Sequence, residues 1–303
     1  MSQDVQPDPS MIGGVPTPPF GLLPDPVALF QARAKRLAFL AESSELAPYL
    51  RFLADLARLQ ARLCVTLPPV VAVPPARQKQ AAQGEMPPID RITLANDPAL
   101  AQVLDALCEG ATDLEMPAPA RLALDAVRAA SESDRHWLLT NILSDHVPED
   151  STAPHLFAAA AVQVHLARLA ATLDVDALVP VGTGVCPSCG GKPVTSSVMA
   201  RQGIENIRYA TCACCATQWN EVRVKCLCCG STKGIGYRSV ETTEATVKAE
   251  ICRECKSWVK IFYLAKNPSL DPVADDIGSV GLDMLMGKTD YRRGGFNPYL
   301  IGY

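Results

Sequence analysis

The sequence holds no apolar run of the roughly 18 residues that a membrane-spanning helix needs. The nearest stretch, HLFAAAAVQVHLARLAATL from His155 to Leu173, is interrupted by His165 and Arg168. Membrane insertion is therefore not expected. The first residues, MSQDVQPDPSMIGG, have neither the basic start nor the apolar core of a secretory signal, and the expected setting is the reducing cytoplasm. There are 4 histidines in all, and no two stand as HxxxH or HExxH. No P-loop, no GxSxG and no GxGxxG following a strand occurs. No catalytic constellation stands out, so an enzyme is not expected. Aromatic residues make up 6% and the formal net charge is −4. Without a basic stripe interleaved with aromatics, nucleic acid is not an expected partner. Charge is uneven all the same: residues 184–303 carry 15 Lys+Arg against 11 Asp+Glu, a net +4, and the remainder a net −8.

Proline and cysteine are what the chain has in quantity, 25 and 12 residues respectively. Residues 1–24 form a Pro/Gly-rich arm, unsuited to helix or central strand. Residues 25–180 read as an all-α domain. Leu29, Phe30, Leu37 and Leu40 make an apolar stripe after an Asp25–Pro26 start, although Arg33 falls inside that stripe. A second helix follows Pro48, and further helices run from Asp97 to Gly110, through residues 118–131, and from a cap at Ser133 or Asp134. The stretch 152–173 is apolar nearly all round and is expected at the centre of the bundle. Residues 66–90 are Pro-rich and polar, and read as a loop or flap. Cys64 and Cys108 fall in helices and read as core. From Asp271 a single last helix is expected. In it Asp275, Asp276 and Asp283 read as a solvated polar face, with a partner contact as the alternative, and Asp276 and Asp283, seven residues apart, share a face. A tail with Tyr291, Phe296, Tyr299 and Tyr303 is expected to pack across the metal units or to mark a docking patch.

The other ten cysteines lie between residues 184 and 264, and eight of them obey a rule. Cys186, Cys189, Cys212 and Cys215 recur forty residues later as Cys226, Cys229, Cys252 and Cys255. Both halves are CxxC-x22-CxxC, and the residues between the pairs alternate as a β-hairpin around a glycine turn. A CxxC knuckle places two thiolates on one turn, and two facing knuckles supply a tetrahedron. The pattern predicts two rubredoxin-like or zinc-ribbon units, residues 181–224 and 225–266, each binding one metal ion, followed by a C-terminal helix and tail over 267–303. Pairing of the middle knuckles with each other and of the outer ones with each other is the alternative ligand scheme. All-sulfur tetrahedra suit zinc or iron. The default role is structural; a redox-active iron protein is the first alternative and a zinc-ribbon nucleic-acid binder the second. Cys214 and Cys228 break the repeat, since their counterparts are Glu254 and Ser188. They read as small buried residues beside the knuckles, with a reactive or substitute thiol as the alternative.

The stretches CPSCGGKPVTS, RYATCACCATQWNEVRVKC, KAEICRECKSWVKI and DPVADDIGSVGLD resemble the FdhE family, the bacterial formate dehydrogenase accessory proteins. The resemblance is dense over residues 184–298, while the helical half carries no motif as sharp. It implies a cytoplasmic maturation factor that binds the catalytic subunit of respiratory formate dehydrogenase before export. It also favours iron over zinc in the two four-cysteine sites. Cys214 and Cys228 depart from the family pattern.

Overall fold

The computed structural model describes residues 18–240 and 245–300. Residues 1–17 of the arm and Tyr303 of the tail lie outside that range. What the structure describes of the arm ends in β1 (Gly21–Leu22), an edge strand. Helix α1 (Pro26–Leu40) starts as expected: the Asp25 carboxylate accepts hydrogen bonds from the amides of Val27 and Ala28, both 3.1 Å, with Pro26 at the first helical position. Such a cap contributes about 1 kcal/mol. Helix α2 (Ala47–Thr66) lies against α1 and buries Leu50, Phe52, Leu53, Leu56 and Leu59.

The Pro-rich connection is not wholly loop. Pro75 opens a nine-residue helix, α3 (Pro75–Gln83), and the short α4 (Arg91–Leu94) follows an Asp90 cap. Pro75 sits at the first position of α3, where a first turn has no amide to lose. Helices α5 (Pro98–Gly110), α6 (Ala118–Ala129) and α7 (Glu132–Leu143) follow. The cap of α7 is Ser131, ahead of both expected residues, with its hydroxyl accepting from the Asp134 amide. Helix α8 (Thr152–Ala170) is the central helix: every residue from His155 to Ala170 is buried. Its Ala158–Ala161 run leaves room for α2 close by, and the Gln60 side-chain amide donates to the Ala160 carbonyl at 3.0 Å. Cys108 is buried, and Cys64 packs half-buried on the same core.

The second half is built on a sheet. In chain order it holds β2 (Pro193–Val198), β3 (Arg208–Cys212), β4 (Gln218–Glu221), β5 (Ile235–Arg238), β6 (Val247–Cys252) and β7 (Ser257–Tyr263). Each unit is a hairpin whose third strand leaves the second knuckle. The two triplets are not separate beads. Strand β2 pairs in parallel with β7, with Ser196 opposite Ile261 and Val198 opposite Tyr263. One continuous sheet results, ordered β1-β4-β3-β2-β7-β6-β5.

The C-terminal segment departs from a single solvated helix. It forms two short helices, α9 (Ala274–Gly278) and α10 (Val280–Met286), broken at Ser279. Strand β8 (Arg292–Arg293) then pairs with β7. Asp276 and Asp283 are at most 1% exposed, not solvated. The Lys260 ammonium, fully buried on β7, lies 3.1 Å from Asp276 and 2.5 Å from Asp283, and Arg293 closes on both carboxylates. The shared face is legible in the spacing; its occupant is a lysine on strand β7. Asp275 is buried too and pairs with Arg36, while Arg33 inside the α1 stripe pairs with Asp271 at 3.2 Å. These two bridges tie the helical half to the C-terminal segment. Tyr291, Phe296 and Tyr299 are buried, so they pack rather than display a patch.

Candidate metal centres

Each knuckle is a tight turn that needs a left-handed residue. Gly190 and Gly230 supply it after the first knuckles, with φ of 75° and 76°. Ala216 and Lys256, again forty apart, supply it after the second, with φ of 58° and 56°. A non-glycine residue pays roughly 1–2 kcal/mol for that conformation. The turns repeat bond for bond: Gly190 N–H donates to Cys186 O and Gly230 N–H to Cys226 O, at 2.8 and 3.0 Å.

The turns face each other within each unit. Cys186, Cys189, Cys212 and Cys215 gather in one cluster, and Cys226, Cys229, Cys252 and Cys255 in another, with all four sulfurs of each within 4.8 Å. The middle knuckles do not pair with each other. In the first cluster Cys186–Cys215, Cys189–Cys212 and Cys189–Cys215 are each 3.5 Å apart. In the second, Cys226–Cys255 is 3.7 Å and Cys229–Cys252 is 3.8 Å. A tetrahedron of sulfurs at a zinc–sulfur distance of about 2.3 Å has edges of about 3.8 Å. A disulfide would need about 2.05 Å, and all twelve cysteines are free thiols. Donor type, number and spacing therefore fit a four-coordinate thiolate-binding ion in both clusters.

Packed together as bare thiols, the four sulfurs of the first cluster share their protons unequally. Hydrogen bonds from the other three thiols hold Cys189 well below the usual thiol range, whereas burial drives Cys186 and Cys215 well above it. A cation at the centre removes that competition, because thiolates are its ligands. In the second cluster burial opposes ionisation of Cys255, yet hydrogen bonds from Ser257 and Cys229 bring it to about 7.

The clusters differ in their surroundings. The four cysteines of the first are at most 1% exposed. The Ile89 amide donates to the Ser188 carbonyl, and the Gln163 side chain of α8 donates to the Ala213 carbonyl at 2.9 Å. Arg91 lies over the knuckle, forked onto Asp145 at 2.9 and 3.0 Å and reaching Cys214 Sγ at 3.5 Å. Asp145 in turn accepts from the Lys192 amide at 2.8 Å. Cys214 is thus a buried residue in an ionic clasp. Cys228 corrects the sequence reading: it is exposed, as is Cys229, and Cys255 is half-buried. The Arg91–Asp145 clasp had no signal in the sequence. The hydroxyls of Thr217 and Ser257 did have one, since they stand forty residues apart, each beside the last cysteine of its cluster.

A helical domain packed on a sheet that carries two tandem four-cysteine ribbons defines a ribbon protein with two clusters that could each hold a metal ion. Sequence models described as FdhE N-terminal, FdhE central domain and FdhE C-terminal domain match residues 18–183, 185–223 and 224–300. A Protein FdhE homolog of Rhizobium meliloti is 55% identical over 301 residues, spanning 99% of this chain and 98% of the relative. A Protein FdhE homolog of Cronobacter sakazakii is 34% identical over 275 residues, spanning 90% and 88%. The crystal structure of the FdhE protein from Pseudomonas aeruginosa superposes with a TM-score of 0.83 at 32% identity, covering 94% of this chain and 99% of that one. The chain belongs to the FdhE family.

Proposed function

We propose that this chain is a non-enzymatic accessory protein of formate dehydrogenase, which binds the dehydrogenase's catalytic subunit in the cytoplasm and supports its maturation before export. Membership of the FdhE family carries the reading. The geometry is in keeping with it. No helix among the described residues is long and apolar enough to cross a membrane. The eight CxxC cysteines form two preorganised four-thiol sites, and these act as structural ligands to one ion each, iron by resemblance and zinc by equal suitability of the donors. The ions hold the ribbons folded, and the ribbons, joined through β2 and β7, present a rigid body to the client. Each hairpin is too small to bury a core of its own.

Co-purification of tagged chain with the dehydrogenase catalytic subunit tests this. The intact chain retains the subunit, and the C186S/C189S and C226S/C229S variants each lose one ion and, with it, retention. Retention by a metal-free, folded variant would refute the structural role of the ions. No retention by the intact, metal-loaded chain would refute the client.

A further inference from the structure

The internal repeat shows what is particular to the first cluster. Its unit makes room for a group from the helical half at Gly191, at the Lys192 amide and at Cys214. Forty residues on, the same places hold Ser231, Thr232 and Glu254. The group received is the guanidinium of Arg91, the first residue of α4. A side chain on Gly191 would stand 2.2 Å from Arg91 Nη1 and 3.3 Å from Cys212 Sγ. Glycine at this place therefore lets the cation come up to a ligand sulfur. Arg91 Nη2 donates to Cys214 Sγ at 3.5 Å and to the Ile142 carbonyl at 2.9 Å. Asp145 holds the fork and is itself fixed by the Lys192 amide. The Arg91 Nε–H finds no acceptor among the described residues. Hydrogen bonding alone does not account for a cation at this depth.

The charge of a loaded cluster accounts for it. A divalent ion held by four thiolates leaves an excess of about two negative charges. The cysteines of the first cluster are at most 1% exposed, so water does little to offset that excess. Net charge buried without a partner is costly. The second cluster faces solvent, with Cys229 exposed and Cys255 half-buried. The cation beside it, Lys256, is itself 51% exposed and pairs with Asp290. Water and salt screen such a pair.

We propose that Arg91 is the counter-charge of the first metal centre, a positioning residue that favours the ion-bound thiolates without ligating the ion. The inference rests on the reading that both clusters hold an ion. The first centre is then complete only when the helical half is docked on it. The linkage is reciprocal, so an ion in the first cluster tightens the docking of α4. Asp145 acts in two ways: it aims the guanidinium, and its own carboxylate opposes the thiolate charge. The sign of its effect separates electrostatics from scaffolding.

The test uses the full chain loaded with zinc, with zinc counted per chain first. Graded concentrations of a chelator of known zinc affinity then withdraw it. Alkylation read by mass spectrometry follows Cys186 and Cys215 for the first centre, and Cys229 and Cys255 for the second. R91M is expected to weaken the first centre by about 10–100-fold, the usual effect of losing an outer partner of a metal site. The second centre stays unchanged. D145N keeps the cation and removes the anion, and is expected to tighten the first centre by about threefold or more. R91M/D145N falls between R91M and the unaltered chain. A clasp that only holds the fold is damaged from either side, so weakening or no change in D145N overturns the inference. An unaltered first centre in R91M does the same. D145N decides the question on its own if R91M does not fold. Fewer than two ions bound at the start overturns the reading of the clusters, and the inference with it.

Discussion

The guanidinium of Arg91 occupies the space where a side chain on Gly191 would stand. This places a buried cation from the helical half directly on the first knuckle, with Asp145 as its partner. Both side chains are less than a tenth exposed. R91M leaves the Asp145 carboxylate buried and unpaired, which is expected to cost about 3–5 kcal/mol. Adding D145N is expected to recover much of that loss, because no charge is then stranded. Urea denaturation of the single and double variants measures both; an additive double variant would show that the pair does not couple.

Lys260 answers for two carboxylates. K260M is expected to leave the two carboxylates of Asp276 and Asp283 with one cation, Arg293, between them, at a cost of about 3–5 kcal/mol. The loss is expected to localise, with faster amide exchange in β7, α9 and α10 and unchanged exchange in α8. Uniform acceleration across the chain would mean that this network is not a local lock.

The same network sets an acid limit. Burial works against the charge on Asp276, but Arg293 and Lys260 outweigh it and hold the carboxyl below its ordinary range. The unfolded chain then binds more protons than the folded one as pH falls. Stability from this group is present above the ordinary carboxylate range of about pH 4 and is lost below it, as pH falls through the lowered folded value. D276N is expected to flatten that part of the pH–stability curve; an unchanged slope would contradict the assignment.

Gln163 joins three parts of the molecule. Its amide donates to Ala213 beside the first cluster, and its oxygen accepts from the Tyr299 hydroxyl at 2.8 Å. Q163L is expected to strand the Ala213 carbonyl and the phenol at a cost of about 1–3 kcal/mol for each unsatisfied group. A thermal melt reads the loss. Y299F in the same background is expected to recover part of the loss, since the stranded phenol is then removed with its partner.

The forty-residue interval made the eight cysteines, the knuckles and the hairpins readable, because ligand spacing and turn chemistry are local. What joins the repeats was not readable. Parallel pairing of Ser196 with Ile261 leaves no mark on either segment beyond apolar or small residues. Likewise Asp276 and Asp283 announced a common face by their spacing, but Lys260 stands sixteen residues before the first of them on a different element. Helix α3 was hidden by the prolines that begin it. Arg33 interrupted an apolar stripe in the sequence, and its reason, Asp271, lies 238 residues away.

Metal content of the two knuckle variants tests the central claim most directly. The intact chain, purified without chelator, is predicted to carry two ions per chain. C186S/C189S and C226S/C229S are each predicted to carry one, with the helical half still folded by circular dichroism. Two ions retained in either variant, or none in the intact chain, would contradict the account.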